Sequence, residues 1–434
     1  MSDSDSALEK ALNELTRFHP RKIDLGLERI ECALRTLDNP HLKLPPVVHV
    51  AGTNGKGSTV AFLRAIAEAQ GLKAHAYTSP HLVRFNERIV VASEQIDDKV
   101  LIDVLERVRV SSGGSPLSFF EATTTAAFLA FSEAQADICI IEVGLGGRHD
   151  ATNVIDHPSV CAITPIGYDH AEFLGRDLAG IAREKAGIMK WKVPVFVGPQ
   201  SDLVSTVLDD EAARTKSPIR YWGQDHQAYT QNGRMVFEDD TEVMDLPLPR
   251  LSGCHQIMNA GLAVALAKHL QISRDIIAAG LETVNWPARL QRLTTGRLVD
   301  IVSKVDGELW LDGGHNPHAA IAVSAAMADM KTRQSRPLIL VTGMLANKDI
   351  GGFLDSFAGL AQCLVGVSIP NQMSAAPKVL AELAKNRGLQ SVMANTVREA
   401  ITLIVNAYEK RDTPPRILIC GSLFLAGEVL KENG

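Results

Sequence analysis

The chain has 434 residues, which at roughly 150 residues per domain is enough for more than one domain and excludes a single small module. Hydrophobic residues make up 46% and charged residues 22% of the sequence, so the chain is neither disordered nor fibrous. The net charge is −6 and no cationic block stands out, which argues against nucleic-acid and membrane-surface partners.

The six cysteines are scattered singly, and none belongs to a Cys-x-x-Cys pair. This distribution favours a reducing compartment over a disulfide-bonded secreted protein, and it indicates no zinc site. The polar, acidic N-terminus does not resemble a signal peptide, and no apolar run approaches the ~20 residues that span a bilayer. We therefore expect a cytoplasmic protein.

Short apolar runs alternate with helical stretches from Pro46 onward, and this alternation predicts a parallel α/β sheet. The runs that we predict as strands are Val47–Ala51, Ala74–Tyr77, Ile138–Val143, Val160–Thr164 and Val193–Val197. Further along, Asn232-Gly233 lies between Tyr229 and Val236 and predicts a small hairpin within residues 215–250.

A glycine-rich segment, Gly52-Thr53-Asn54-Gly55-Lys56-Gly57-Ser58, directly follows the first predicted strand and opens a helix. In this position such a loop surrounds phosphate oxygens with backbone N–H groups and a helix N-terminus. Lys56 then supplies a mobile cation, and Ser58 supplies a hydroxyl that can bind Mg²⁺. The spacing departs from the common G-x-x-x-x-G-K-[ST] pattern, and the alternative is a purely structural glycine turn.

Two later strand ends also carry polar side chains. Glu142 lies near the end of the strand 138–143, and a strand-end acid beside a phosphate loop commonly holds the metal of a nucleotide. His170 follows the strand 160–164 and can offer a neutral nitrogen to a divalent ion. The alternatives are a buried, hydrogen-bonded Glu142 and a structural His170. The glycines of Gly144–Arg148 lack the spacing of a dinucleotide loop, so we reject that function for them.

Lys185 is anomalous by its position. It follows Leu178, Ile181 and Ala182 at helical spacing, which places it on the buried stripe of a helix. Because a desolvated ammonium is costly, we expect this lysine to be paired with a carboxylate or chemically modified.

A second series of alternating runs after Pro287 predicts a smaller α/β domain. Its predicted strands are Leu298–Val302, Leu309–Leu311, Leu338–Thr342, Leu364–Val367 and Ile417–Cys420, with helices that include Pro317–Met330 and Pro377–Lys385 between them. We therefore divide the chain into a first domain (1–285), a linker (286–297) and a second domain (298–434). The segment Asp312-Gly-Gly-His315-Asn316-Pro317 predicts another strand-end loop, in which Asn316 alternatively only caps the next helix.

Taken together, these motifs resemble the bifunctional dihydrofolate synthases/folylpolyglutamate synthases of the Mur ligase superfamily. The resemblance covers nearly the whole chain, and its motifs follow one another in order. They are Asp24–Glu28, Gly52–Ser58, Thr78–Leu82, Phe120-Glu121, Glu142–Asn153, Asp169-His170, Glu184–Ile188 and His315–Pro317.

The resemblance implies roles for residues at matching positions. Residues implied to bind ATP are Thr53, Asn54, Gly55, Lys56, Gly57, Ser58, Asn259, Arg289 and Asp312. Implied Mg²⁺ ligands are Ser79, Glu142 and His170, and Lys185 matches a lysine that this superfamily carbamoylates. The implied pterin-binding residues are Asp24, Leu25, Gly26, Phe120, Glu121, Ala122, Thr123, His149, Asp150 and Ala151, and His315 and Asn316 match the second-domain loop.

The fold that the resemblance implies is α/β, with an N-terminal P-loop, Mur-ligase-like ATPase domain and a smaller, Rossmann-like C-terminal domain. The implied reaction joins L-glutamate to 7,8-dihydropteroate and to reduced folates through an acyl phosphate made from ATP. The implied cofactors are two Mg²⁺ ions, with a monovalent cation as a further candidate. We expect a monomer whose partners are small molecules only.

Three other functions compete with this one. A monofunctional folylpolyglutamate synthase differs only in the pterin pocket. A ligase for cell-wall nucleotides shares the glycine-rich loop and the lysine but is not expected to carry Asp24–Glu28 and Thr78–Leu82. A nucleotide switch needs an Asn-Lys-x-Asp motif to recognise guanine, whereas Asn347-Lys348-Asp349 lacks the spacer residue.

Overall fold

The computed structural model describes residues 3–18, 26–111 and 117–434, and these residues form two compact units. One unit contains the described residues up to Pro80 together with Arg84–Arg250 and Ile257–Val284, and the other contains His81–Val83, Leu251–Gln256 and Asn285–Gly434. None of the described helices has both the length and the apolar character that crossing a membrane requires.

The described chain up to residue 284 contains ten helices and eleven strands. They are α1 (Asp3–Phe18), α2 (Glu28–Thr36), β1 (Val47–Ala51), α3 (Lys56–Ala69), β2 (Ala74–Tyr77), β3 (Ile89–Val91), β4 (Glu94–Gln95), α4 (Asp98–Ser111), α5 (Phe119–Ser132), β5 (Ile138–Glu142), β6 (Val160–Ile163), α6 (Ala171–Leu174), α7 (Leu178–Ala186), β7 (Val195–Val197), α8 (Asp202–Thr215), β8 (Ile219–Tyr221), β9 (His226–Gln231), β10 (Arg234–Asp239), β11 (Val243–Leu246), α9 (Cys254–His269) and α10 (Arg274–Thr283). Short 3₁₀ turns lie at Pro40–Lys43, Phe85–Arg88 and Ala151–Val154.

The first unit is built on an eight-stranded sheet with the order β4-β3-β2-β5-β1-β6-β7-β8. The six strands from β2 to β8 in this order run parallel, as predicted, and β3 and β4 add an antiparallel edge. In the pairing register Val50 of β1 lies beside Glu142 of β5 on one side and Ala162 of β6 on the other. Because parallel strands end at one edge of a sheet, the loops after β1, β5 and β6 emerge side by side there.

A separate three-stranded antiparallel sheet, β11-β10-β9, contains the predicted hairpin. The turn between β9 and β10 is Asn232-Gly233, and both residues have positive φ angles, 51° and 75°. A two-residue hairpin turn with two positive φ angles favours this dipeptide, so the hairpin prediction is confirmed.

The chain from residue 285 onward contains six helices and six strands. They are β12 (Gln291–Leu293), α11 (Arg297–Val302), β13 (Glu308–Leu311), α12 (Pro317–Arg333), β14 (Leu338–Thr342), α13 (Ile350–Asp355), β15 (Ala361–Gly366), α14 (Pro377–Lys385), β16 (Gln390–Met393), α15 (Val397–Tyr408), β17 (Arg416–Cys420) and α16 (Leu423–Asn433), with a 3₁₀ turn at Ser303–Val305. The sheet order is β12-β13-β17-β14-β15-β16, and only β12 is antiparallel to its neighbour.

This second sheet is covered on both faces. Along β17, Ile417 and Ile419 belong to one hydrophobic cluster and Leu418 and Cys420 to another. Successive side chains of a strand point to opposite faces, so each cluster fills one side of the sheet. A strand buried on both faces is continuously apolar, which is why the short apolar runs of the sequence predict these strands correctly.

One predicted strand is wrong, because Arg297–Val302 forms helix α11 and the strand at Leu298–Val302 does not exist. Leu298 and Val302 are both buried and lie four residues apart, so they share one helix face and pack in the same cluster as Ile401. A five-residue apolar run is compatible with a buried strand and with a helical turn, and periodicity does not separate the two. Gln291–Leu293, inside the predicted linker, forms the edge strand β12.

Candidate active site

The glycine-rich loop connects β1 to α3. Gly52 and Gly55 adopt φ angles of +141° and +91°, which glycine tolerates far better than other residues. A Cβ atom at Gly52 would overlap the hydroxyl of Thr164, and one at Gly55 would overlap the amide oxygen of Asn259. The loop is therefore packed too tightly for side chains at these positions, and Asn259 lies directly against it.

Hydrogen bonds to the segment after β6 hold the front of this loop. The N–H groups of Thr53 and Asn54 both donate to the carbonyl of Pro165, over 3.0 and 3.3 Å. The Thr53 hydroxyl donates to the carbonyl of Gly167 and accepts from its N–H, each over 3.0 Å. Since these two N–H groups are already paired, the donors for a phosphate have to come from the start of α3.

The N-terminus of α3 provides such donors. Within the described residues no side chain caps Gly55, and the first helical hydrogen bond runs from Thr59 N–H to the Gly55 carbonyl over 2.9 Å. The N–H groups of Lys56, Gly57 and Ser58 precede that bond in the helix, and the helix dipole adds partial positive charge there. An uncapped helix N-terminus after a glycine-rich loop is an anion-binding arrangement.

Lys56, Glu142 and Ser79 meet beside this N-terminus. The Nζ atom of Lys56 donates to the Thr53 carbonyl over 3.1 Å and lies 3.9 Å from Oε1 of Glu142. Oε2 of Glu142 accepts the backbone N–H of Ser79 over 3.3 Å, and the Glu142 side chain is buried. The site therefore contains one mobile cation and one carboxylate that is fixed at the end of β5.

Lys185 points into the same region, as predicted from its helix. Its side chain is 5% exposed, and Nζ donates to the carbonyl of Gly52 over 2.8 Å. Burial, and then the positive charge of Lys56, lower the pKa of Lys185 from 10.5 to about 7, although Asp169 and Asp150 act in the opposite direction. A large part of this amine is therefore neutral near pH 7.

A pocket gathers these groups. The residues that line it are Gly52, Thr53, Lys56, Gly144, Leu145, Gly146, Asp169, His170 and Lys185. His170 has a positive φ of 52°, and its backbone N–H donates to Oδ1 of Asp169 over 2.8 Å. The three strand ends thus contribute to one cavity, in which Thr53, Lys56, His170 and Lys185 come together from distant parts of the sequence.

The predicted metal ligands suit Mg²⁺ by their chemistry. Among the described residues no three His, Cys, Asp or Glu side chains form a ready metal cluster. Mg²⁺ needs no such cluster, because it keeps several waters and commonly binds one or two carboxylates together with substrate phosphates. The buried carboxylate of Glu142, beside Ser79 and an anion-binding helix N-terminus, matches that requirement.

Most of the predicted pterin residues of α5 are buried or bonded to other residues of the chain. The Glu121 carboxylate accepts the Ser118 N–H over 2.7 Å in a capping box and pairs with Arg29 of α2 over 3.0 Å. Ala122 and Thr123 are buried, whereas the Phe120 ring lies so close to Gly144 that a Cβ atom there would overlap it. Asp24 and Leu25 lie outside the described residues, and Gly26 is the first residue after that gap.

Two of the three residues in the predicted pterin stretch His149–Ala151 are also buried. His149 is half exposed, with Nδ1 3.5 Å from Oε2 of Glu184. Asp150 is 1% exposed, and its carboxylate accepts hydrogen bonds from its own loop, while Ala151 is buried at the start of a 3₁₀ turn. Of these three side chains, only that of His149 is accessible.

The strand-end loop of the second unit is held by Asp312. Its buried carboxylate accepts the N–H groups of Leu290 and Gly314, over 2.8 and 2.7 Å. Asn316 accepts the Ala319 N–H over 2.8 Å and so caps α12.

The other two residues of this region also contact the backbone. Arg289 donates from Nη1 to the Ala288 carbonyl over 3.0 Å. Nδ1 of His315 lies 3.0 Å from the carbonyl of Gly313.

Comparison with known families gives two matches along this chain. The Mur ligase middle domain matches residues 50–267, and the glutamate ligase domain of Mur ligases matches residues 296–423. The chain belongs to the Mur ligase family. Its first matched domain contains the end of β1, the glycine-rich loop, Glu142 and Lys185, so the residues that line the pocket lie within the middle domain.

Individual relatives define the branch of this Mur ligase family. The dihydrofolate synthase/folylpolyglutamate synthase of Escherichia coli K12 is 32% identical over 98% of this chain and 95% of its own length. The folylpolyglutamate synthase of Lacticaseibacillus casei is 31% identical over 92% of each chain. The structure of E. coli FolC in complex with DHPP and ADP has a TM-score of 0.87 at 30% identity and covers 99% of this chain and 98% of that one.

Some residues of this Mur ligase pocket have no predicted role in the sequence. Gly144, Leu145 and Gly146 line the cavity, although their spacing excludes a dinucleotide loop. The available signal is their position directly after a strand-end carboxylate. Outside the pocket, the sequence analysis also gives no role to Arg29. Its partner Glu121 lies 92 residues further along the chain, and no local pattern links the two.

Proposed function

We propose that this chain is an ATP-dependent ligase that joins L-glutamate to 7,8-dihydropteroate, giving dihydrofolate, and to reduced folates. The observation that carries the proposal is the pocket in which Lys56 and Lys185 lie beside the uncapped N-terminus of α3. That arrangement supplies what phosphoryl transfer requires, namely a phosphate-binding helix end and mobile positive charge. The relatives point to glutamate as the amino acid and to folates as the acceptors.

The proposed reaction has two steps. An oxygen of the acceptor carboxylate attacks the γ-phosphorus of ATP, the bond to the β-phosphate oxygen breaks, and ADP leaves. The glutamate amine then attacks the resulting acyl phosphate, loses a proton and displaces inorganic phosphate. Activation is needed because a free carboxylate is a poor acyl donor.

The chain contributes charge and position to the first step. A hydrogen bond to the Thr53 carbonyl places the Lys56 ammonium near the proposed phosphate site. There its positive charge offsets the negative charge of the transferring phosphoryl group. The N-terminus of α3 fixes the phosphates. Glu142, Ser79 and His170 would hold Mg²⁺, which would supply further positive charge to the phosphates.

Lys185 has the properties required for carbamoylation. CO₂ reacts with a neutral amine, and a lysine with a pKa near 7 is neutral far more often than an exposed one at physiological pH. The carbamate adds an anionic oxygen donor on a long side chain, which suits a second Mg²⁺. The alternative is an unmodified, purely structural Lys185 that donates only to the Gly52 carbonyl.

Related structures motivate the substrate set. FolC of E. coli has been solved with DHPP and ADP. A bifunctional folylpolyglutamate synthase/dihydrofolate synthase, 30% identical with a TM-score of 0.84, has been solved with Mn, AMPPNP and L-glutamate. We infer by similarity that ATP, a divalent metal and L-glutamate bind to this chain. A second Mg²⁺, a monovalent cation, a monomeric state and a cytoplasmic location stay predictions, as do nucleotide contacts by Asn259, Arg289 and Asp312.

The experiment compares two acceptors. Purified protein receives ATP, Mg²⁺ and L-glutamate with either 7,8-dihydropteroate or tetrahydrofolate, and mass spectrometry measures the glutamylated products. The proposal predicts product from both acceptors, and Asp24→Ala reduces the product from dihydropteroate more strongly. Product from tetrahydrofolate alone would favour the monofunctional synthase, and product from neither would refute the ligase assignment.

A further inference from the structure

His49 is buried in β1, three residues before Gly52, where the glycine-rich loop begins. It is 0% exposed, its Nε2 lies 2.9 Å from the hydroxyl oxygen of Thr152, and its Nδ1 has no hydrogen-bond partner among the described residues. Burial is the largest cause that lowers the pKa of His49 to about 3, and the charge of Lys190 adds to it. The ring is therefore neutral and carries a single N–H.

Thr152 connects this ring to a buried carboxylate. Its hydroxyl lies 2.6 Å from Oδ1 of Asp150, and its backbone N–H donates to the same oxygen over 3.0 Å. Oδ2 of Asp150 accepts the N–H of Leu145 over 2.8 Å. Every one of these contacts delivers a proton toward Asp150, and these hydrogen bonds favour the ionised carboxylate against burial, which raises its pKa.

The count of protons fixes the direction of the chain. Thr152 has one hydroxyl proton, and when Asp150 receives it the hydroxyl oxygen has to accept from His49. The proton of His49 is then on Nε2, and the bare Nδ1 is only an acceptor without a partner. In the opposite direction Nδ1 would carry a buried N–H with no acceptor, which is rarer and costly.

The carboxylate at the end of this chain shapes the wall of the pocket. Leu145, whose N–H it accepts, lines the pocket between Gly144 and Gly146. The same loop then packs against α7, where the Arg148 N–H donates to the Glu184 carbonyl over 2.7 Å. A Cβ atom at Gly147 would lie only 2.9 Å from Cα of Lys185, so the loop and that turn of α7 cannot shift independently.

We propose that His49 and Thr152 are positioning residues for the reaction. The Nε2–H of His49 orients the Thr152 hydroxyl, which completes the donors around Asp150, and this carboxylate holds the loop 144–148 against Lys185. Asp150, which the resemblance places among the pterin contacts, acts here inside its own loop. The inference rests on the proposed ligase function for its activity measurement only.

The test uses a matched pair of substitutions at Thr152. Thr152→Val keeps the shape of the side chain and removes the hydroxyl, whereas Thr152→Ser keeps the hydroxyl. We expect Thr152→Val to lower kcat by about tenfold or more with the KM for ATP changed less than about threefold, because the loop moves while the start of α3 does not. Thr152→Ser should recover at least half of the wild-type kcat.

A second measurement reads the proton directly in the wild-type protein. ¹⁵N NMR of histidine-labelled protein should show His49, assigned by its loss in His49→Gln, as a neutral ring with the proton on Nε2 at pH 6–8. A proton on Nδ1 or a charged ring would overturn the inference. So would equal kcat values for folded Thr152→Val and Thr152→Ser. If the wild-type protein has no ligase activity, the proposed function fails, and the NMR result alone decides the proton chain.

Discussion

Lys185→Met should stabilise the protein at neutral pH and change how its stability depends on pH. Protonated Lys185 is unfavourable in the folded state because its ammonium is buried near Lys56, so its pKa falls from 10.5 to about 7. A lowered lysine pKa means that the unfolded chain binds more protons than the folded one between these two values. By linkage the stability of the wild type therefore rises with pH across this window.

The size of this stability effect follows from the lowered pKa of Lys185. A difference of 3.5 pH units, 10.5 − 7, corresponds to at most about 5 kcal/mol of penalty below pH 7. Between pH 7.5 and 9 the folded lysine is mostly neutral and the unfolded one mostly charged, so the linkage slope gives a gain of about 2 kcal/mol. Methionine has similar length and no charge, so this contribution to the rise should vanish in Lys185→Met.

Urea unfolding of the wild type and Lys185→Met at several pH values, in buffer free of CO₂, measures this difference. Lys331→Met changes an exposed lysine of α12 and controls for the loss of a surface charge. The stability of the control should follow that of the wild type at every pH. Parallel pH profiles for the wild type and Lys185→Met would refute the reasoning, because Lys185 would then keep an ordinary proton affinity in the folded state.

Three further substitutions address the pocket. Lys56→Ala should lower kcat by about 100-fold in a folded protein, as measured by ADP release, and near-normal turnover would contradict its role in charge neutralisation. Glu142→Gln removes the charge while keeping the shape, so the Mg²⁺ concentration for half-maximal rate should rise. The melting temperature of the metal-free protein should change little. An unchanged Mg²⁺ dependence would make Glu142 structural. Gly55→Ala should weaken ATP binding by at least about tenfold in equilibrium dialysis, because its Cβ would overlap the Asn259 amide and strain a positive φ, and wild-type affinity would refute this tight packing.

The position of the glycine-rich loop is predictable from sequence because its geometry is local. The loop Gly52–Ser58 follows a strand and opens a helix, and both elements have clear apolar patterns. Glu142 ends strand β5 and His170 follows strand β6, and parallel strands bring their carboxyl ends to one edge. Only the order of the strands, which decides that β5 and β6 flank β1, requires the structure.

The environment of individual carboxylates is not predictable in this way. Glu121 and Asp150 belong to recognisable motifs, yet Glu121 pairs with Arg29 on another helix and Asp150 accepts hydrogen bonds from its own loop. Both contacts depend on tertiary packing, which a motif does not encode. The failure at Leu298–Val302 has a different cause, since five apolar residues are too few to separate the helical period from that of a strand.

The central claim is that the acceptor carboxylate is activated as an acyl phosphate, and an oxygen label tests it most directly. 7,8-Dihydropteroate labelled with ¹⁸O in its carboxylate is incubated with the protein, ATP, Mg²⁺ and L-glutamate, and the released phosphate is analysed by mass spectrometry. The account predicts one ¹⁸O atom in the phosphate for each dihydrofolate formed, because the attacking oxygen leaves with the phosphoryl group. Dihydrofolate formed with unlabelled phosphate, or with AMP and pyrophosphate in place of ADP, would contradict it.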